Sequence, residues 1–132
     1  MSIPLPVTSM IALPMALLMI GLAYRVAALR IKNKIGLGMS SNKTLAKAMA
    51  AHGNATENVP LTLILFAMAE IQGADSVLLS VWGVIFIVGR FMNALGVSQH
   101  AGRSLGRMYG IILSWFAIVF LGGLNIWLNL AG

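Results

Sequence analysis

The chain has no cysteine in its 132 residues. Disulfide scaffolds, thiolate metal sites and a cysteine nucleophile are therefore excluded, and any thiol chemistry has to come from a bound molecule. Histidine is almost as scarce, at His52 and His100, and the acidic residues are Glu57, Glu70 and Asp75. So few ligands leave little for a metal to bind, and no metal site is expected. Charged residues make up 9% of the chain, against roughly 25% in soluble domains.

Apolar residues dominate instead, at 59% of the sequence, and the mean hydropathy is +0.91. A soluble domain of this size leaves too much of its area exposed to hide that much apolar surface. Lipid is the solvent that fits. The length allows one domain, residues 1–132, and the expected fold class is all-α, an integral membrane four-helix bundle. The expected spans cover about residues 7–29, 44–70, 76–95 and 108–130.

The first segment runs from Val7 to Tyr24 without a charge, enough for a crossing, and no basic stretch precedes it as in a signal peptide. Pro14 should kink it. A loop over 31–43 follows, with Gly36 and Gly38 as turn residues and Ser40, Ser41 or Asn42 as a cap for the next helix. The second segment differs in character. Its first half is small and mildly polar, and Val59–Ala69 is too short to cross on its own, so His52, Asn54 and Glu57 must enter the membrane zone facing protein. Pro60 predicts a bend there. A short acidic loop with Gly73 and Asp75 leads to the third span, and a second basic loop is expected over Gly96–Arg107. The fourth span is uncharged, with Trp127 near one interface.

The net charge is +6. The cations fall in two clusters between apolar segments: Arg25, Arg30, Lys32, Lys34, Lys43 and Lys47, then Arg90, Arg103 and Arg107. Basic faces with interleaved aromatics are missing, so nucleic acid is not an expected partner. Flanking charge of this kind orients membrane helices, and the positive-inside rule puts both basic loops in the cytoplasm and both termini outside. In a bacterial cell such a multi-pass protein would sit in the inner membrane. A channel lacks a pore-lining polar face, and no repeat between the halves supports an inverted-repeat transporter.

Two stretches carry polar groups suited to chemistry. In AHGNATENVP, residues 51–60, Asn54 and Glu57 are three apart and share a helix face with Ala50 and Leu61. A carboxylate and an amide at membrane depth require partners. Either they clasp neighbouring helices, with Arg25, Arg30 or Arg90 neutralising Glu57, or they line a pocket for a polar ligand at the membrane boundary. In GRSLGRMYG, residues 102–110, glycines spaced by four make a flat strip that another backbone can approach. Arg103 and Arg107 lie beside it, either as interfacial anchors or as cations aimed into the same pocket, where they would stabilise an anion. His52 is read as an interhelical hydrogen-bonding or boundary residue, with a catalytic base as the sharper alternative.

This arrangement resembles the MAPEG family, the membrane-associated proteins of eicosanoid and glutathione metabolism, in a bacterial-type form. The Asn-x-x-Glu-x-x-Pro element at Asn54, Glu57 and Pro60 carries the likeness, supported by Gly89-Arg90 and by the RSLG segment before the fourth span. The resemblance implies protomers packed as a homotrimer, with glutathione bound between neighbours near the cytoplasmic boundary. Asn54, Glu57 and Arg90 match glutathione-binding positions, and His52 and Arg107 are further candidates. Arg103 matches the arginine proposed to activate the thiol. An arginine usual four residues before the asparagine is Ala50 here, a tyrosine after the glutamate is Asn58, and two further tyrosines are Asn93 and Val97.

Two functions follow as expectations. One is a glutathione-dependent transferase or peroxidase acting on a lipophilic small molecule that enters from the lipid. The other is a non-catalytic lipid-binding or scaffold protein, in which Asn54 and Glu57 tie helices together.

Overall fold

The computed structural model describes Ser2 and residues 4–99 and 105–132. It contains four helices: α1 (Pro6–Asn33), α2 (Lys43–Ile71), α3 (Ser76–Gln99) and α4 (Leu105–Ala131). Three of them, α1, α3 and α4, are long and apolar enough to cross a membrane. α2 matches them in length, about 44 Å at 1.5 Å per residue, but its first half is more polar. The protein is a membrane protein by these helices, and its fold class is all-α.

Local chemistry sets most helix ends. Proline stands at the start of α1, where the missing N–H costs no helical hydrogen bond. Lys34 ends that helix in a left-handed conformation (φ 54°), its N–H reaching the carbonyls of Arg30 and Ile31. Of the three cap candidates before α2, Asn42 serves: its side-chain oxygen accepts from the Leu45 N–H at 2.9 Å. Asp75 does the same for α3, accepting from the Leu78 N–H at 2.8 Å. Both α1 and α2 continue as helix through Pro14 and Pro60.

The helices run alternately up and down, joined by short connections. α2 and α3 form the middle of the bundle, with α1 and α4 each packed on both of them. The buried stripe of α2 is Leu45, Ala48, Ala51, Ala55, Val59, Thr62, Phe66 and Ala69, spaced by three and four. Its alanines let neighbouring helices come close, and Phe66 meets Phe86 of α3 with ring centroids 6.3 Å apart. A further pair, Trp82 and Phe120, stacks at 4.3 Å between α3 and α4. Exposed apolar side chains such as Leu13, Leu17, Val84, Phe116 and Val119 cover the outside of the three apolar helices.

The structure corrects the expected second basic loop. Gly96 and Arg107 lie inside helices, because α3 extends to Gln99 and α4 begins at Leu105. The glycines here serve close approach. A Cβ on Gly96 would stand 2.5 Å from the Arg107 nitrogen, and one on Gly110 would stand 2.5 Å from both the Asn93 nitrogen and the Gly89 oxygen. The α3–α4 seam is backbone against backbone, as the glycine strip implied for Gly110. Gly102 lies outside the described residues.

Candidate functional site

Arg90 sits at the centre of the polar cluster, with 1% of its surface exposed. α3 carries it toward α2 and α4, where three neutral side chains receive its guanidinium. Nη2 donates to Asn54 Oδ1 at 2.6 Å and to Asn93 Oδ1 at 3.2 Å, and Nη1 donates to Ser114 Oγ at 3.2 Å. Nε has no hydrogen-bond partner among the described residues. The fork of the guanidinium suits this task, because it offers donors in several fixed directions where an ammonium offers a point charge. α2, α3 and α4 are thereby tied through one side chain.

A second layer holds that clasp in place. Ser114 turns its hydroxyl proton to the Gly110 carbonyl at 2.9 Å, leaving its oxygen to accept from Arg90. Asn93 donates through Nδ2 to the Arg107 carbonyl at 3.2 Å. On α2, Asn58 Nδ2 donates to the Asn54 carbonyl at 2.8 Å, and Thr62 does likewise to the Asn58 carbonyl at 2.7 Å. Asn93 and Ser114 are fully buried. Buried polar groups of this kind are costly when unpaired, so their mutual satisfaction fixes the helix register.

Of the residues singled out from sequence, the fold brings Asn54 and Arg90 into direct contact. Glu57 does not join them. It is exposed on the outer face of α2, and the donors of Arg90 go to Asn54, Asn93 and Ser114 in its place. Among the described residues Glu57 has no ion pair with Arg25 or Arg30; Arg30 is engaged with the loop before α2. His52 is half-buried on α2, and Arg107 is half-buried near the start of α4. Arg103 lies outside the described residues. Ala46, Ala50, Gly53 and Glu57 follow one another at spacings of four, three and four, so they share one face, and Ala50 and Glu57 are exposed on it. Added Cβ atoms at Gly53 would meet nothing within 4 Å.

Sequence reasoning missed two features. Asn93 and Ser114 were not seen as partners of Arg90, although Asn93 stands three residues beyond it and the helical repeat puts both on one face. Glu70 was not singled out at all. At the opposite end of α2, its carboxylate accepts from the Val7 N–H and the Thr8 N–H, both at 2.8 Å, and from the Thr8 hydroxyl at 2.6 Å. These are first-turn N–H groups of α1, which have no partner inside their own helix. Nearby, Gln72 donates to Asn125 Oδ1 at 2.8 Å and Asn125 Nδ2 donates to the Leu65 carbonyl at 3.0 Å, joining α2 to α4.

The chain is similar to the "Inner membrane protein YecN" of Escherichia coli strain K12, at 27% identity over 121 residues, covering 92% of this chain and 91% of that one. The same identity and coverage hold for the protein of that name in Escherichia coli O6:H1. The sequence model of the MAPEG family matches residues 8–127, which takes in all four helices and the Asn54–Arg90 clasp. This chain belongs to the MAPEG family.

Proposed function

We propose that the protein is a membrane-bound glutathione-dependent transferase or peroxidase acting on lipophilic electrophiles. The observation that carries this reading is the pairing on α2 of an exposed carboxylate, Glu57, with an amide, Asn54, whose oxygen is held by the buried Arg90 at 2.6 Å. With its oxygen so occupied, Asn54 keeps its amide donors for a ligand carboxylate or carbonyl. Glu57 offers an acceptor for an ammonium group one turn away. A zwitterionic peptide needs both.

Glutathione supplies the thiol nucleophile that a cysteine-free chain lacks. Arg103 is the proposed activating residue. A cation beside the sulfur favours thiolate over thiol, and lowering a pKa from about 8.5 by about two units is worth about 2.7 kcal/mol. The thiolate forms a carbon–sulfur bond to the electrophile while the leaving group departs with its electron pair. Lipid and helices exclude water from this step. His52 and Arg107 are further candidate contacts for the peptide.

The same reading places the site between copies of the chain in a homotrimer. Its support is the open face of Ala46, Ala50, Gly53 and Glu57, where small residues allow a second helix to approach. α2 then crosses the membrane as a fourth span, with its polar half against protein. The basic loops are cytoplasmic and both termini outside in this reading. Single cysteines at Lys34 and Asp75, probed with an impermeant reagent in intact cells, should label at position 75 and be protected at position 34.

One observation favours a non-catalytic scaffold: Asn54 and Arg90 are already used within the protomer to join three helices. Ala50, in place of the family's usual arginine, points the same way. Calorimetric titration of glutathione into the detergent-purified protein separates the two readings. The enzyme reading expects binding, a fall of tenfold or more in conjugation to an aryl halide for Arg103→Ala, about 1.4 kcal/mol per decade, and tighter binding for Ala50→Arg. Absence of binding in both the wild type and Ala50→Arg would leave the scaffold. Full activity in Arg103→Ala with loss in Arg107→Ala would move the activating role to Arg107.

A further inference from the structure

No acidic residue precedes Glu57, whereas Arg25, Arg30, Lys32, Lys34, Lys43 and Lys47 all do. The fold gathers this charge at one end of the bundle, where α1 closes at Asn33 and α2 opens at Lys43. Arg30 acts as the post around which the connecting loop is wound. Its Nη1 donates to the Gly38 carbonyl at 2.9 Å and its Nη2 reaches Met49 Sδ of α2 at 3.5 Å. Lys34, Ser40 and Ser41 take left-handed conformations, with φ of 54°, 47° and 59°, and these turn the chain sharply on either side of Leu37.

The winding has a consequence at the surface. Leu37 is 92% exposed and Ile31 80% exposed, beside the exposed Lys32 and Lys34. Lys43, at the start of α2, is exposed as well. An open furrow of about 360 Å³ runs along Arg30, Ile31, Lys34, Ile35 and Gly36. Arg30 is occupied by the loop, so the lysines are the cations available to an outside anion.

We propose that this loop binds the headgroups of anionic phospholipids in its own leaflet. Basic residues next to a membrane helix end attract anionic lipid electrostatically, each adding to the pull. The apolar side chains decide between sources of the anion. A dissolved anion has no use for Leu37 and Ile31, whereas a lipid surface accepts them among its acyl chains while the lysine stems lie along the interface. Cations and apolar tips on one short, pinned loop are the combination that an anionic membrane surface recognises.

The test is native mass spectrometry of the purified chain in uncharged detergent, titrated with phosphatidylglycerol and with phosphatidylcholine of the same acyl chains. The wild type should retain phosphatidylglycerol on the order of tenfold more tightly, and added salt should erode the preference. Lys32→Gln with Lys34→Gln should lower phosphatidylglycerol affinity on the order of tenfold or more. Lys43→Gln, away from the end of α1, repeats the test should the double variant disturb that helix. Leu37→Asn should weaken phosphatidylglycerol several-fold, and millimolar inorganic phosphate should not displace it. Equal retention of the two lipids, or a preference unchanged in all the lysine variants, overturns the proposal. Displacement by inorganic phosphate, with Leu37→Asn behaving as wild type, overturns it in favour of a dissolved anion.

Discussion

Two glutamates on one helix have opposite surroundings. Glu70 accepts hydrogen bonds from two backbone N–H groups and a hydroxyl at the start of α1. Glu57, thirteen positions earlier on α2, faces outward from the protomer. The first carboxylate is used up in building the bundle, since it satisfies donors that α1 cannot satisfy itself. The second lies one turn from Asn54, whose oxygen is held by a buried cation that spends its donors on neutral amides and a hydroxyl. A charge resolved inside the chain is structural. A charge left outside, beside a prearranged amide, is suited to a ligand or to another copy of the chain.

The largest expected effect strikes the side chain that holds Asn54 and ties the bundle together. Arg90→Met removes the donor from two amide oxygens and a hydroxyl, and stability should fall by on the order of 3 kcal/mol. Thermal unfolding in detergent measures it, and glutathione affinity should fall as well because Asn54 loses its fixed orientation. Arg90→Lys should recover only part of the stability, since an ammonium cannot reproduce the fork.

Glu70→Gln comes next. An amide offers one acceptor where the carboxylate offers two, and its NH₂ would face the N–H groups of α1. Stability should drop by about 1–3 kcal/mol, with glutathione binding left as in the wild type. The same substitution at Glu57 should reverse the pattern. Glu57→Gln is expected to change protomer stability by less than about 0.5 kcal/mol, as for exposed sites in general, while calorimetry reads weaker glutathione binding. Equal effects of the two substitutions on unfolding would break the comparison.

The four helical segments were readable in the sequence because long apolar runs have little alternative in lipid. α1, α3 and α4 are the helices long and apolar enough to cross a membrane, and Asn42, one of three cap candidates, caps α2. The boundaries of α3 and α4 were not readable, since Gly96 and the basic residues after it suggested a loop. The same residue type that breaks a helix in water permits close packing in a bundle, and only the facing backbone decides which. Asn54 and Glu57 were legible as a pair, but not their separation into one inward and one outward group.

Composition and local pattern alone thus determined the membrane class, the helix order and the family motif, because each depends on residues within a turn or two of one another. Tertiary structure decided which groups meet across the chain. Arg90 finds Asn54 across 36 positions and Ser114 across 24, and Glu70 finds Val7 across 63. Several polar partners were open to each of these residues in the sequence. The approach of the helices, set by alanines on α2 and glycines on α3 and α4, left each buried donor within reach of its acceptors and turned Glu57 to the outside.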